Sequence, residues 1–307
     1  MTAILRKELA DYFTSIRFVI LFVLIFFASA AGLRAASEGI RGANLPEGFV
    51  FLGLFTTSGN VIPSLITLIA LIVPIIGIAL GFDAINSERA GGTLSRVLAQ
   101  PVFRDSVING KFLAGVVALA IMIGTMLLLV AGYGLSMIGV PPTPEEIIRL
   151  FAYFAMTIVY GAFWMGLAIL FSIIFRRVAA SLLFSLALWM FFSIFILLIA
   201  PGIANVLVPT ADGAQAELIR NVELQRMITR FSPNILFQEA TTVLLVPLVR
   251  SLGMVSASQA AYMVPNPLSL GQSLLLIWPH ITSLISLSAV CFAASYILFM
   301  RQEIRAT

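Results

Sequence analysis

Long runs without a charged residue, separated by short polar stretches, organise this sequence. Residues 18–33, 61–82, 112–133, 150–175 and 178–200 contain no Asp, Glu, Lys or Arg, and a sixth such run ends at Met300, just before Arg301. A helix needs roughly 20 apolar residues to cross a hydrocarbon layer of ~30 Å. The pattern therefore predicts six transmembrane helices, at about 17–36, 61–82, 112–133, 150–175, 178–200 and 281–300. The first run is short, but Arg17 and Arg34 flank it and can reach the interfaces on their aliphatic stems. Pro201-Gly202 is expected to close the fifth span. Counting about 20 residues back from Met300 puts the far end of the sixth near Ile281, which leaves Trp278, Pro279 and His280 at the interface.

The stretches between the spans carry their own patterns. Residues 3–16 are amphipathic: Leu5, Leu9, Tyr12 and Ile16 recur at helical spacing while Arg6, Lys7 and Asp11 point elsewhere. They predict a helix lying in the interface, or a polar extension of the first span. Pro144-Glu145-Glu146 reads as a helix start with acids in the first turn. Arg176-Arg177 makes a turn so short that spans four and five should be antiparallel neighbours. Residues 202–279 are too long for a plain connector, and residues 214–231 have a mixed helical pattern. Residues 234–253 are more apolar but contain Glu239, Pro247 and Arg250, which predicts a short or re-entrant helix rather than a seventh span. The fold class is thus an all-α integral membrane protein, a single domain over 1–307.

Composition agrees. The chain is 60% hydrophobic and 10% charged, with a mean hydropathy of +1.07, whereas soluble domains carry about 25% charged residues. The formal charge of +4 is scattered over span ends, so nucleic acid is not an expected partner. Its distribution sets the orientation. Arg6, Lys7, Arg17, Arg89, Arg96, Arg104, Lys111, Arg176, Arg177, Arg301 and Arg305 fall on one side, against Arg34, Arg41 and Arg149 in the two short loops opposite. The positive-inside rule then makes both termini cytoplasmic and residues 202–279 extracytoplasmic, in the cell (plasma or inner) membrane. A basic start, an apolar core at 18–27 and Ala28-Ser29-Ala30 also resemble a signal peptide, which Glu8 and Asp11 suit poorly.

The spans so drawn hold no ionisable residue at mid-depth, where ion-driven transporters place one. His280 reads as an interfacial polar group. One histidine and one cysteine, Cys291, do not make a familiar metal site. Gly110-Lys111 is followed by Phe112 and lacks the glycine spacing of a phosphate loop. Nothing here points to an enzyme or to a cofactor held by the chain, so any uphill movement must draw its energy from a partner.

Residues 83–111 are the polar hairpin between spans two and three. Asn86 or Ser87 is suited to cap a helix whose apolar face is Leu94, Val97 and Leu98, flanked by Arg89 and Arg96. Gly91-Gly92 allows close backbone approach, and Pro101 ends the helix. Such a helix suits a protein groove or the membrane surface equally. The run Glu88-Arg89-x-x-Gly92-Thr93-Leu94, then Pro101-Val102-x-Arg104, then Gly110-Lys111-Phe112 resembles the loop after the second span of ABC-2-type transporter permeases, and Gly81-Phe82-Asp83-Ala84-Ile85 is similar to members such as the membrane subunits of nitrous-oxide-reductase maturation transporters. Ser95, where many members carry an acid, and the length of 202–279 depart from the pattern.

The resemblance implies a permease subunit of an ATP-binding-cassette exporter. Two permease chains, identical or not, would each dock a cytoplasmic ATPase subunit holding ATP and Mg. The coupling helix would present Glu88, Arg89, Gly92, Thr93, Leu94, Arg96, Leu98, Pro101, Arg104 and Lys111, with Arg6, Lys7 and Glu8 as a second contact. The alternatives are a passive channel, a secondary transporter, or a membrane anchor or sensor.

Overall fold

The computed structural model describes residues 2–40, 49–92, 103–209, 215–250 and 267–301, and every regular element among them is helical. In chain order these are α1 (Thr2–Thr14), α2 (Ile16–Ile40), α3 (Gly53–Thr56), α4 (Leu65–Gly81), α5 (Asn86–Ala90), α6 (Arg104–Ile138), α7 (Pro144–Ile174), α8 (Val178–Met190), a π-helical turn (Phe191–Phe195), α9 (Ile196–Leu207), α10 (Gln215–Thr229), α11 (Pro233–Leu245) and α12 (Leu270–Arg301). Six are long and apolar enough to cross a membrane: α2, α4 with its extension into α5, α6, α7, the continuous α8–α9, and α12.

The hub is α7, which packs against α4, α6, α8, α11 and α12. Its contact with α4 is set by missing side chains. A Cβ at Gly77 would stand 2.6 Å from the Gly161 carbonyl oxygen, and one at Gly81 would stand 2.6 Å from that of Met165. The two backbones therefore touch along a Gly-x-x-x-Gly stripe, the close approach that small residues permit in lipid, where there is little hydrophobic drive between helices. Trp164, Tyr153 and Tyr160 fill the rest of this core. Tyr160 donates to the Ala70 carbonyl at 3.1 Å and stacks on Phe237 of α11 at 4.3 Å.

On the far face from α1, the first turns of α7 anchor everything nearby. Thr143 and Glu146 form a capping box, which bears out the expected helix start. The other Glu146 oxygen accepts from the amides of Phe51 and Leu52 at 2.9 and 3.2 Å, so the loop before α3 is pinned to α7. Arg149, with no exposed surface, pairs with Glu145 at 2.8 Å and donates to the Leu244 carbonyl at 2.8 Å and the Ser273 hydroxyl at 3.2 Å. One guanidinium thus joins the end of α11 to the start of α12.

Several span limits differ from those expected. The second helix begins at Leu65 rather than 61, because Ser64 takes extended backbone just before it. The first, third and fourth are longer at their polar ends. The fifth does not stop at Pro201-Gly202 but runs to Leu207. A proline is tolerated within a membrane helix when neighbours meet the freed backbone groups. In the π turn ahead of it, Ser232 donates to the Phe192 carbonyl at 2.7 Å. The sixth begins at Leu270, not near Ile281, and Pro279 lies inside it. Its start is a reciprocal pair: the Ser269 amide donates to Gln272 and the Gln272 amide to Ser269.

His280 is consequently ten residues into α12. It is 4% exposed and lies 2.8 Å from Glu239 of α11, a buried partner that the reading as an interfacial polar group did not foresee. Residues 202–279 supply no seventh span among the described residues. α11 has 13 residues, ~20 Å of helix, and enters the bundle only partway.

Two outcomes test this packing. Gly77→Leu should destabilise the detergent-solubilised chain by about 3 kcal/mol or more, since the neighbour is backbone that cannot yield; a thermal melt reads this. Glu239 provides the second. Burial alone would raise its pKa, but hydrogen bonds from His280 and Arg230 outweigh that and hold it below the ordinary 4.5. A lowered carboxylate pKa contributes stability that is present above the ordinary value and lost as pH falls through the lower one. Hydrogen exchange in α11 should therefore rise below about pH 4.5, and Glu239→Gln should remove that dependence.

Candidate functional site

On the α1 face, the chain leaves α4 at Gly81 and must turn before re-entering the membrane as α6. That turn is fixed from α7. Ser172, fully buried, accepts from the amides of Ile85 and Asn86 at 2.9 and 3.1 Å. These are among the open N–H groups at the start of α5. Neither Asn86 nor Ser87 caps the helix, as the sequence had suggested. Asn86 is buried within it, and the Ser87 hydroxyl donates to the Asp83 carbonyl. The cap comes from another helix, 86 residues along the chain.

α5 ends after Ala90. Gly91 closes it, and Gly92 takes φ +63°, a left-handed conformation that glycine adopts without steric penalty. The expected Thr93, Leu94, Arg96, Leu98 and Pro101 lie outside the described residues. Arg104 is the first residue of α6 rather than a residue ahead of it. Arg89 donates to the Ile173 carbonyl at 3.3 Å, at the negative end of α7.

The centre of the site is an ion cluster. Lys111 of α6 is 5% exposed. Its Nζ lies 2.9 Å from Glu8 Oε1 of α1 and 2.8 Å from Glu88 Oε1 of α5. Lys7 joins the same carboxylates at 3.1 and 3.8 Å and reaches Asp11 at 3.3 Å. Burial opposes the charge on Lys7, but Glu8, Asp11 and Glu88 outweigh it and raise its pKa. Beside the cluster, Arg17 pairs with Asp83 and lies 5.1 Å above the Phe82 ring. Three elements distant in sequence are therefore bolted together by one ammonium group.

α1 is placed by the same contacts. Its inward positions are Ile4, Glu8 and Tyr12, at i, i+4 and i+8. Ile4 fills the space beside Gly110. Tyr12 donates to the Leu80 carbonyl at 2.9 Å, and burial pushes its phenol well above the usual range. Of the expected stripe, Leu5, Leu9 and Tyr12 are half-buried and only Ile16 departs from it. Ile16 opens α2 and is exposed, and an acid, Glu8, takes the middle of the buried face because Lys111 waits opposite. Arg6 is exposed, and Lys7 is largely so.

Of the residues singled out from the sequence, the structure brings Lys7, Glu8, Glu88 and Lys111 into one cluster and puts Arg89 on the end of α7. Sequence reasoning missed Ser172, Asp83 and Tyr12 as parts of the site. A serine two residues before a helix end gives no signal of its own. Asp83 beside Phe82 does give one, since an acid directly after an apolar run needs a cation.

Lys111→Ala should lower thermal stability by about 3–5 kcal/mol, because it leaves two carboxylates without their buried partner. The triple variant Glu8→Gln, Glu88→Gln, Lys111→Met should recover most of that loss.

A family model described as ABC-2 family transporter protein matches residues 2–304. "Probable ABC transporter permease protein NosY" of Stutzerimonas stutzeri is 34% identical over 146 residues, which are 44% of this chain and 48% of that protein. The protein of the same name from Pseudomonas aeruginosa is 29% identical over 197 residues, 62% of this chain and 65% of that one. The chain thus spans about half the length of the first relative and just under two thirds of the second.

Proposed function

The chain belongs to the ABC-2 transporter family, and we propose that it is the permease subunit of an exporter driven by separate cytoplasmic ATPase subunits. Six apolar helices make it a multi-pass membrane protein. On this reading the α1 face is cytoplasmic, and ATP with its Mg binds the partner rather than this chain. Two permease chains and two ATPase subunits form the working assembly.

The observation that carries the proposal is the Lys111 cluster with the Ser172 cap. A coupling element must pass force to the spans without yielding. α5 is held to α7 through its backbone amides, and to α6 and α1 through one buried ammonium. A push on residues 86–92 is therefore shared by three elements at once. Lys111 and Glu8 act inside the permease, while the exposed Arg6 and Lys7 with the stretch from Gly92 to Arg104 meet the ATPase.

Co-purification of the chain with the product of a neighbouring gene of ABC-ATPase type tests the reading. Binding should be recovered, and Arg6→Ala with Arg104→Ala should weaken it by about 1–3 kcal/mol, as solvated rim charges do. No bound ATPase, or unaltered ATP-dependent transport in those variants, would overturn it.

One observation favours a secondary transporter instead. His280 and Glu239 form a buried acid–imidazole pair between α12 and α11, and such pairs serve proton-coupled transport elsewhere. That reading requires flux driven by a pH gradient in liposomes holding this chain alone, abolished by His280→Gln.

A further inference from the structure

Toward the far face, α2 and α6 part and leave a groove of about 630 Å³ between them. Leu54 of α3 occupies the space that a side chain at position 134 of α6 would need, and α3 also packs on α2, so α3 touches both helices that wall the groove. Phe26 and Leu33 of α2 and Leu129 of α6 form the apolar length of the groove, and Arg34, Glu38 and Tyr133 stand toward its far end. The α2 residues fall at helical spacing on one stripe, so they form a continuous wall.

The dimensions and the order of charges both point to a ligand. From Phe26 to Glu38 is ~18 Å of helix, close to one leaflet's half of a ~30 Å hydrocarbon layer plus the start of its headgroups. A volume of about 300–1,000 Å³ is ordinary for a small-molecule site. Arg34 and Glu38 pair at 3.3 Å, with the Arg34 side chain 75% and that of Glu38 36% exposed. Arg34 is one turn, ~6 Å, nearer the membrane centre. A cation set below an anion complements a headgroup whose phosphate lies below an amine.

We propose that this groove binds one glycerophospholipid with a zwitterionic, primary-amine headgroup. Its phosphate accepts from the Arg34 guanidinium, its ammonium donates to the Glu38 carboxylate, and an acyl chain follows Phe26, Leu33 and Leu129. Glu38 disfavours a headgroup of net negative charge. A quaternary amine carries no N–H to give it.

The test is native mass spectrometry of the delipidated full chain, titrated with phosphatidylethanolamine, phosphatidylcholine and phosphatidylglycerol of identical acyl composition. One phosphatidylethanolamine should be retained, about ten-fold tighter than the other two. Glu38→Gln should bring it to the phosphatidylcholine level. The exchange Arg34→Glu with Glu38→Arg should erase the preference although the ion pair survives. Leu129→Trp should fill the groove and weaken all three lipids with both charges intact. Equal retention of the three, preference for phosphatidylglycerol, indifference to Leu129→Trp, or a dimer that Leu129→Trp dissolves would each overturn the proposal.

Discussion

A charge inside a membrane bundle must find its counter-charge within the protein, because the hydrocarbon around it offers none. Much of this structure follows from that constraint. Lys111 and Arg149 are both buried, one near each face, and each gathers segments far apart in sequence. Lys111 draws in α1 and α5. Arg149 draws in the ends of α11 and α12. Between these polar knots, apart from the His280–Glu239 pair, the packing of α4 on α7 is apolar, with small residues against backbone, as between Gly77 and Gly161. Charge fixes which segments meet at each face, and glycine fixes how closely the spans approach between them.

This division places the mechanical path. A rigid central pair, α4 and α7, has its backbones in contact and little room to slide. The turn after α4 is secured by Ser172 of the same α7. Movement imposed on α5 is thus resisted at one point and relayed at another, through the ammonium group to α1 and α6. Separating helices by a buried charge cluster exposes unpaired ions, so such clusters favour motion as a unit over partial opening. On the function proposed above, this is the property required of the surface that meets the ATPase.

Much of the architecture was legible in the sequence, since hydropathy alone gave six spans and the amphipathic first helix. The errors have physical causes. Pro201 was read as closing the fifth span, and the sixth was drawn only about 20 residues back from Met300 with Pro279 just outside it, yet both prolines lie within longer helices. The Ser269–Gln272 reciprocal cap and the Gly77–Gly81 pair were readable signals that were passed over. The site was legible as a list and not as an arrangement. Glu8, Glu88 and Lys111 were all named as surface contacts, but their mutual pairing depends on tertiary distance, and Ser172 has no local signature.

The π turn at Phe191–Phe195 has a consequence for the span that contains it. Ser181 and Ser185 face inward on its first half, and Ala200 and Ala204 on its second. An uninterrupted helix with 3.6 residues per turn would instead carry the inward azimuth on to Ile199 and Ile203, which here face outward. The single extra residue in the turn acts as a phase shifter of about 100°. Winding that turn as regular α-helix with every residue kept would rotate the whole distal half, trading two methyl groups against the interior for two bulky branched chains, whereas deleting one residue there would leave Ala200 and Ala204 facing inward.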